Sequence, residues 1–160
     1  MGSLTKKLST ALIDWLTKED EPFEVPPCDF DRIRYEVRPC DVLLIEGRSR
    51  VSEVIKLVTQ SAWSHAALYI GRKHDIDDPI LRQKIEEYLP DDNTEQRLVE
   101  SVLGKGTIIS PVSIYKNEHI RICRPQGIAR VDAQKVIGFA IDRLGTGYDL
   151  RLSFDLFRFL

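Results

Sequence analysis

Short apolar runs alternate with polar turns along most of this chain, and the spacing inside each run predicts its element. Residues 41–46 (DVLLIE) form an apolar run between Pro39 and Gly47, the pattern of a buried strand. Ser49 stands where a helix cap belongs. The helix it would open, about 51–59, carries Val51, Val54, Ile55 and Val58 on one face. A polar turn over 60–64 leads into a second strand from His65 to Gly71. Residues 72–96 are polar and acidic, with Pro79 and Pro90 flanking a helix at about 80–88, and read as a surface excursion. Strands follow at 97–102, around 107–111 and at 119–124. Asp132 then opens a helix with Val136, Ile137, Ala140, Ile141 and Leu144 on its apolar stripe, closed by Gly145. Leu150 to Leu160 is rich in Leu and Phe and reads as a further helix without cap or breaker.

Upstream, Leu4, Leu8, Leu12 and Trp15 or Leu16 recur every three to four residues, predicting an amphipathic helix from about Leu4 to Thr17. It is short and carries only Lys6 and Lys7, so it reads as packed on the domain. A peripheral membrane contact through residues 4–17 is the alternative. Residues 18–27 are acidic and hold Pro22, Pro26 and Pro27, which forbid helix continuation and predict an extended arm. The chain thus divides into a helix and Pro-rich arm, residues 1–34, and one domain, residues 35–160. Consecutive strands at short spacing imply an α+β class: a mostly antiparallel sheet with helices packed to one side.

Composition narrows the function. With 160 residues, 42% hydrophobic and 30% charged, the chain can bury a core of its own. Its 23 basic and 25 acidic residues nearly cancel, which leaves no general attraction to nucleic acid. Arg48 with Arg50, and Arg121 with Arg124, read as solvated surface. Three cysteines without a CxxC pair argue against a disulfide framework or a zinc knuckle and fit a reducing compartment. No apolar run approaches the ~20 residues that span a bilayer. The first residues lack the apolar core and cleavage site of a signal peptide, and Gly2 lacks the Ser or Thr that favours myristoylation. The expected location is the cytoplasm. Asp75, Asp77 and Asp78 lack the glycine and distal glutamate of a calcium loop, so no metal or cofactor is implied.

Four segments in order carry a family resemblance. Residues 39–46 (PCDVLLIE) resemble the "GD" turn and first strand of the permuted NlpC/P60 superfamily of papain-like cysteine hydrolases. Residues 60–71 (QSAWSHAALYIG) resemble the "SHxxxYxG" segment of its YiiX/YebB-like branch. Residues 98–112 resemble the stretch after it, and Gly147 with Tyr148 and Asp149 its "G.YD" segment. The likeness covers about 35–160, with Cys40 standing where the family has glycine. It implies a papain-like fold, with His65 as the catalytic histidine. It also implies a nucleophilic cysteine on a helix some tens of residues after the "YD" segment, so the domain is expected to be incomplete at Leu160.

The chemistry of such a site is specific. A thiol is a poor nucleophile near its free pKa of ~8.5, and an imidazole partner lowers that value while a third group holds the ring. His65 opens a strand after a polar turn, at a sheet end that a helix N-terminus can approach. Glu100 interrupts the apolar pattern of Leu98, Val99 and Val102 and is the candidate orienting group, an outward-facing strand residue being the alternative. His74 and His119 are further candidates for that third role. Among internal cysteines, Cys40 is nearest by topology, Cys28 lies in the arm and Cys123 in a strand. Trp63 reads as a cleft wall or a core residue, Tyr148 and Asp149 as packing and capping groups. The expected function is a cysteine-dependent hydrolase or acyltransferase acting on an amide or ester of a peptide or lipid, inactive as these residues alone. The alternatives are a non-catalytic ligand-binding module of the same fold, and a homo-oligomer paired through the Leu/Phe-rich end.

Overall fold

A computed structural model describes residue 11 and residues 13–19, 27–88 and 95–147. In chain order these form α1 (Phe30–Glu36), β1 (Val42–Glu46), α2 (Arg50–Thr59), β2 (His65–Gly71), α3 (Pro79–Tyr88), β3 (Arg97–Val102), β4 (Gly106–Pro111), β5 (His119–Cys123) and α4 (Arg130–Asp142). The five strands make one sheet in the order β4-β3-β2-β1-β5, every pair antiparallel. β4 and β5 therefore occupy opposite edges. Residues 112–118, which include a 3-10 turn at Val112–Tyr115, carry the chain from one edge to the other.

Both faces of the sheet are covered, not one. Ile70, Val99 and Ile109 pack on one face against Ile85 of α3 and Ala133, Ile137 and Ile141 of α4. On the other face, Leu43, Ile45, Ala67, Tyr69, Leu98 and Ile120 meet Val37, Val112 and Tyr115, with Phe30 and Ile33 of α1 against them. Apolar side chains on alternate strand positions face opposite layers, so two helical layers are needed to keep them from water.

Several elements depart from the sequence expectation. α1 is not among the expected elements and follows the Pro-rich arm of 18–27; Asp29 caps it, its carboxylate accepting from the Arg32 N–H at 3.0 Å. The acidic excursion contributes to the core, since Ile76 and Ile85 are fully buried. α4 starts at Arg130 with Asp132 in its first turn, and Val136 is exposed rather than part of the buried stripe. Ser49 does cap α2, accepting from the Ser52 N–H. Residues 13–17 are helical, and Arg50 lies 4.6 Å from the Trp15 ring centroid while donating to the Trp15 carbonyl. Most of the predicted helix over 4–17, residues 20–26 of the arm, Tyr148, Asp149 and the Leu/Phe-rich stretch lie outside the described residues. Among the described residues no helix is long and apolar enough to cross a membrane.

Candidate active site

Strand register brings the two predicted site residues together. Ala67 of β2 is the Cα partner of Glu100 of β3, so His65, two positions earlier on the same face, lies diagonal to the carboxylate. Nε2 of His65 is 2.6 Å from Oε2 of Glu100. The carboxylate is inside, with 1% of its side chain exposed, while the ring reaches the surface at 26%.

The turn before β2 is tied to the turn after β1, and this fixes where His65 emerges. The Ser64 N–H donates to the Ile45 carbonyl at 3.1 Å, and the Gly47 N–H donates to Ser64 Oγ at 3.0 Å. A Cβ on Gly47 would lie 2.4 Å from Ser52 Oγ of α2 and 3.0 Å from Ser64 Oγ, so a side chain there would crowd both the helix start and the turn before β2.

A buried carboxylate is costly unless it is hydrogen-bonded. Glu100 meets that requirement at Oε2 alone, through a residue not singled out from the sequence: the Tyr115 hydroxyl donates to the same Oε2 that faces His65, while the buried Oε1 has no hydrogen-bond partner among the described residues. Tyr115 sits in a short 3-10 turn without periodicity, and only the crossing from β4 to β5 brings it here. Its ring centroid is 6.1 Å from that of His65. Burial pushes the Glu100 carboxyl up, but hydrogen bonding from His65 and Tyr115, with the Ser110 hydroxyl nearby, outweighs it and holds the group below its ordinary range. Burial, then the Glu100 charge and hydrogen bond, push the Tyr115 phenol far upward. The pair is thus a carboxylate and a neutral phenol.

An ionised carboxylate only accepts, so the imidazole nitrogen facing it carries the proton. That assigns the Nε2–H tautomer to neutral His65 and leaves the lone pair on Nδ1. Among the described residues nothing hydrogen-bonds Nδ1. A nitrogen base held by a carboxylate at a sheet end can take a proton from a nucleophile approaching its free side.

The other candidates do not join this pair. His119 Nδ1 is 2.9 Å from Glu46 Oε2, and the two are cross-strand partners. They point to the opposite face from His65, because Ile45, next to Glu46, is the Cα partner of His65. Trp63 packs its ring 4.9 Å from His119. His74 is 68% exposed beside Asp75. None of the three cysteines hydrogen-bonds His65. The Cys28 thiol donates to the Glu118 carbonyl, Cys40 is buried, and Cys123 pairs with Val42 at the far end of β1.

Two arginines expected on a solvated surface are instead structural. Arg48 makes an ion pair with Glu118 in which both side chains are about nine-tenths buried, and Arg124 binds the buried Asp41 with Nε and Nη2. Asp77 is occupied by Arg130, and Asp75 accepts from the Arg72 N–H.

A family model described as "Permuted papain-like amidase enzyme, YaeF/YiiX, C92 family" matches residues 36–156, well over half of the chain. A search of curated proteins finds no match.

Proposed function

Since the chain belongs to the permuted papain-like amidase family of the YaeF/YiiX type, C92, we propose that it acts through a cysteine thiolate, with His65 as general base and Glu100 orienting the ring. The family is one of amide hydrolases with a papain-like fold, and the α+β architecture with its antiparallel five-stranded sheet agrees. The observation that carries the mechanism is the His65–Glu100 contact of 2.6 Å, with no hydrogen bond to Nδ1 among the described residues.

In this reading the thiol gives its proton to Nδ1, and the imidazolium stays paired with Glu100 through Nε2. The thiolate attacks the acyl carbon, and His65 returns the proton to the leaving nitrogen. Water, or a second acyl acceptor, then releases the acyl group by the same steps in reverse order. None of the three cysteines hydrogen-bonds His65, so this reading assigns the thiolate to none of them in the geometry described. A peptide amide or a lipid amide or ester is the proposed substrate, held close to a membrane surface if residues 4–17 touch one.

The absence of a cysteine hydrogen-bonded to His65 also favours a second reading, a ligand-binding module that keeps the fold without the chemistry. An acyl probe that labels reactive thiols, applied to the full-length protein, separates them. Labelling that disappears in His65→Ala supports the enzyme. Undiminished labelling in that variant rejects His65 as the base.

A further inference from the structure

Tyr115 closes the 3-10 turn of the crossing from β4 to β5, and its ring lies in the core layer that also holds Leu98 and Ala67. A phenylalanine would fill that volume equally well. What distinguishes tyrosine here is its hydroxyl, aimed at Oε2 of Glu100, the oxygen that also faces Nε2 of His65. We propose that Tyr115 is a positioning residue that fixes the Glu100 carboxylate and, through it, the tautomer and orientation of His65. The inference rests on the reading of His65 as the base, and adds to it a third member that touches neither the thiol nor the substrate.

The geometry supports this in three ways. A carboxylate oxygen has two lone pairs in its plane, and with one taken by Tyr115 the imidazole N–H is confined to the other. A glutamate side chain has three rotatable bonds, so a second anchor on the same oxygen removes freedom that the His65 contact alone would leave. A neutral phenol donating to the carboxylate also lowers the carboxylate's proton affinity, which keeps the shared proton on His65 Nε2 instead of on Glu100. Val112, at the start of the same turn, is fully buried and donates its N–H to the Gln96 carbonyl at 2.9 Å, so the anchor stands on a fixed segment.

Nuclear magnetic resonance of the isotopically labelled 160-residue chain tests this without any turnover. In the unsubstituted chain, neutral His65 is expected as the Nε2–H tautomer, with Glu100 titrating below the ordinary carboxylate range. In Tyr115→Phe, the Glu100 midpoint rises by about one unit and the fraction of the Nδ1–H tautomer grows about fivefold or more. A folded Tyr115→Phe chain with both quantities unchanged overturns the proposal. If that variant does not fold, the unsubstituted chain decides. A Tyr115 hydroxyl proton protected from exchange and close to the His65 ring is expected, and one exchanging like an exposed phenol contradicts it. Thiol labelling that persists undiminished in His65→Ala would reject the base and is a separate result, since neither readout here depends on catalysis.

Discussion

Cys40 and His65 stand at opposite ends of the same pair of strands. The Cys40 N–H donates to the Tyr69 carbonyl at 2.8 Å, and Tyr69 is four residues along β2 from His65, roughly 13 Å of extended chain. Antiparallel pairing therefore separates the thiol that precedes β1 from the imidazole that opens β2. Burial, then the neighbouring Asp41, also raise the Cys40 pKa, the wrong direction for a nucleophile. In the complete protein, Cys40→Ala should leave amide hydrolysis within about twofold of the parent. A tenfold loss measured at saturating substrate would restore Cys40 as a candidate.

Replacing Glu100 by Gln keeps the size of the side chain and removes its charge. An amide can accept from, or donate to, the imidazole, so the Nε2–H tautomer is no longer enforced. The expected result for the complete protein is a loss of roughly 10²- to 10⁴-fold in kcat with KM nearly unchanged. An equal loss carried by KM alone would assign Glu100 to substrate binding.

The same carboxylate makes stability depend on pH. Its folded pKa lies below the unfolded one, so its contribution is fully present above about pH 4.3 and disappears as pH falls through the folded value. Urea melts of Glu100→Gln should show a shallower fall in stability below that pH than the parent. Parallel curves for the two would contradict the depressed pKa.

Asp41 is 1% exposed and accepts from the Arg38 N–H at 2.8 Å and from Arg124 at 2.7 and 2.9 Å. Asp41→Ala strands those donors and should cost about 2–3 kcal/mol in chemical unfolding, less than a fully buried pair because Arg124 is partly solvated. A change below about 0.5 kcal/mol would mean that solvent replaces the carboxylate freely.

Local pattern made most elements legible, because each carries its own punctuation. The bounds of β2, His65–Gly71, follow from a polar turn before it and glycine after it; Ser49 marked α2 before any packing was known. Glu100 was legible as a break in an apolar run, and His65 as the residue that opens a strand after a polar turn within the family resemblance. What the pattern could not carry was which ends of the strands meet, and for that reason Cys40 reads as close to His65 when it is distant. Cys40, where the resemblance leads one to expect glycine, has a φ of 75°, in the left-handed region that glycine enters without strain. Ile76 and Ile85 are isolated apolar residues among charges, and only the arrival of α4 buries them. Tyr115 depends entirely on the long crossing between sheet edges, which no window of neighbouring residues records.

The central claim is that His65 lowers the pKa of a thiol it is built to meet, and the pH dependence of thiol alkylation measures this directly. In the full-length protein, one cysteine should react with iodoacetamide as a thiolate well below pH 8.5, and His65→Ala should move that midpoint back to about 8.5. A midpoint already near 8.5 in the parent, or one that stays low without His65, would contradict the account.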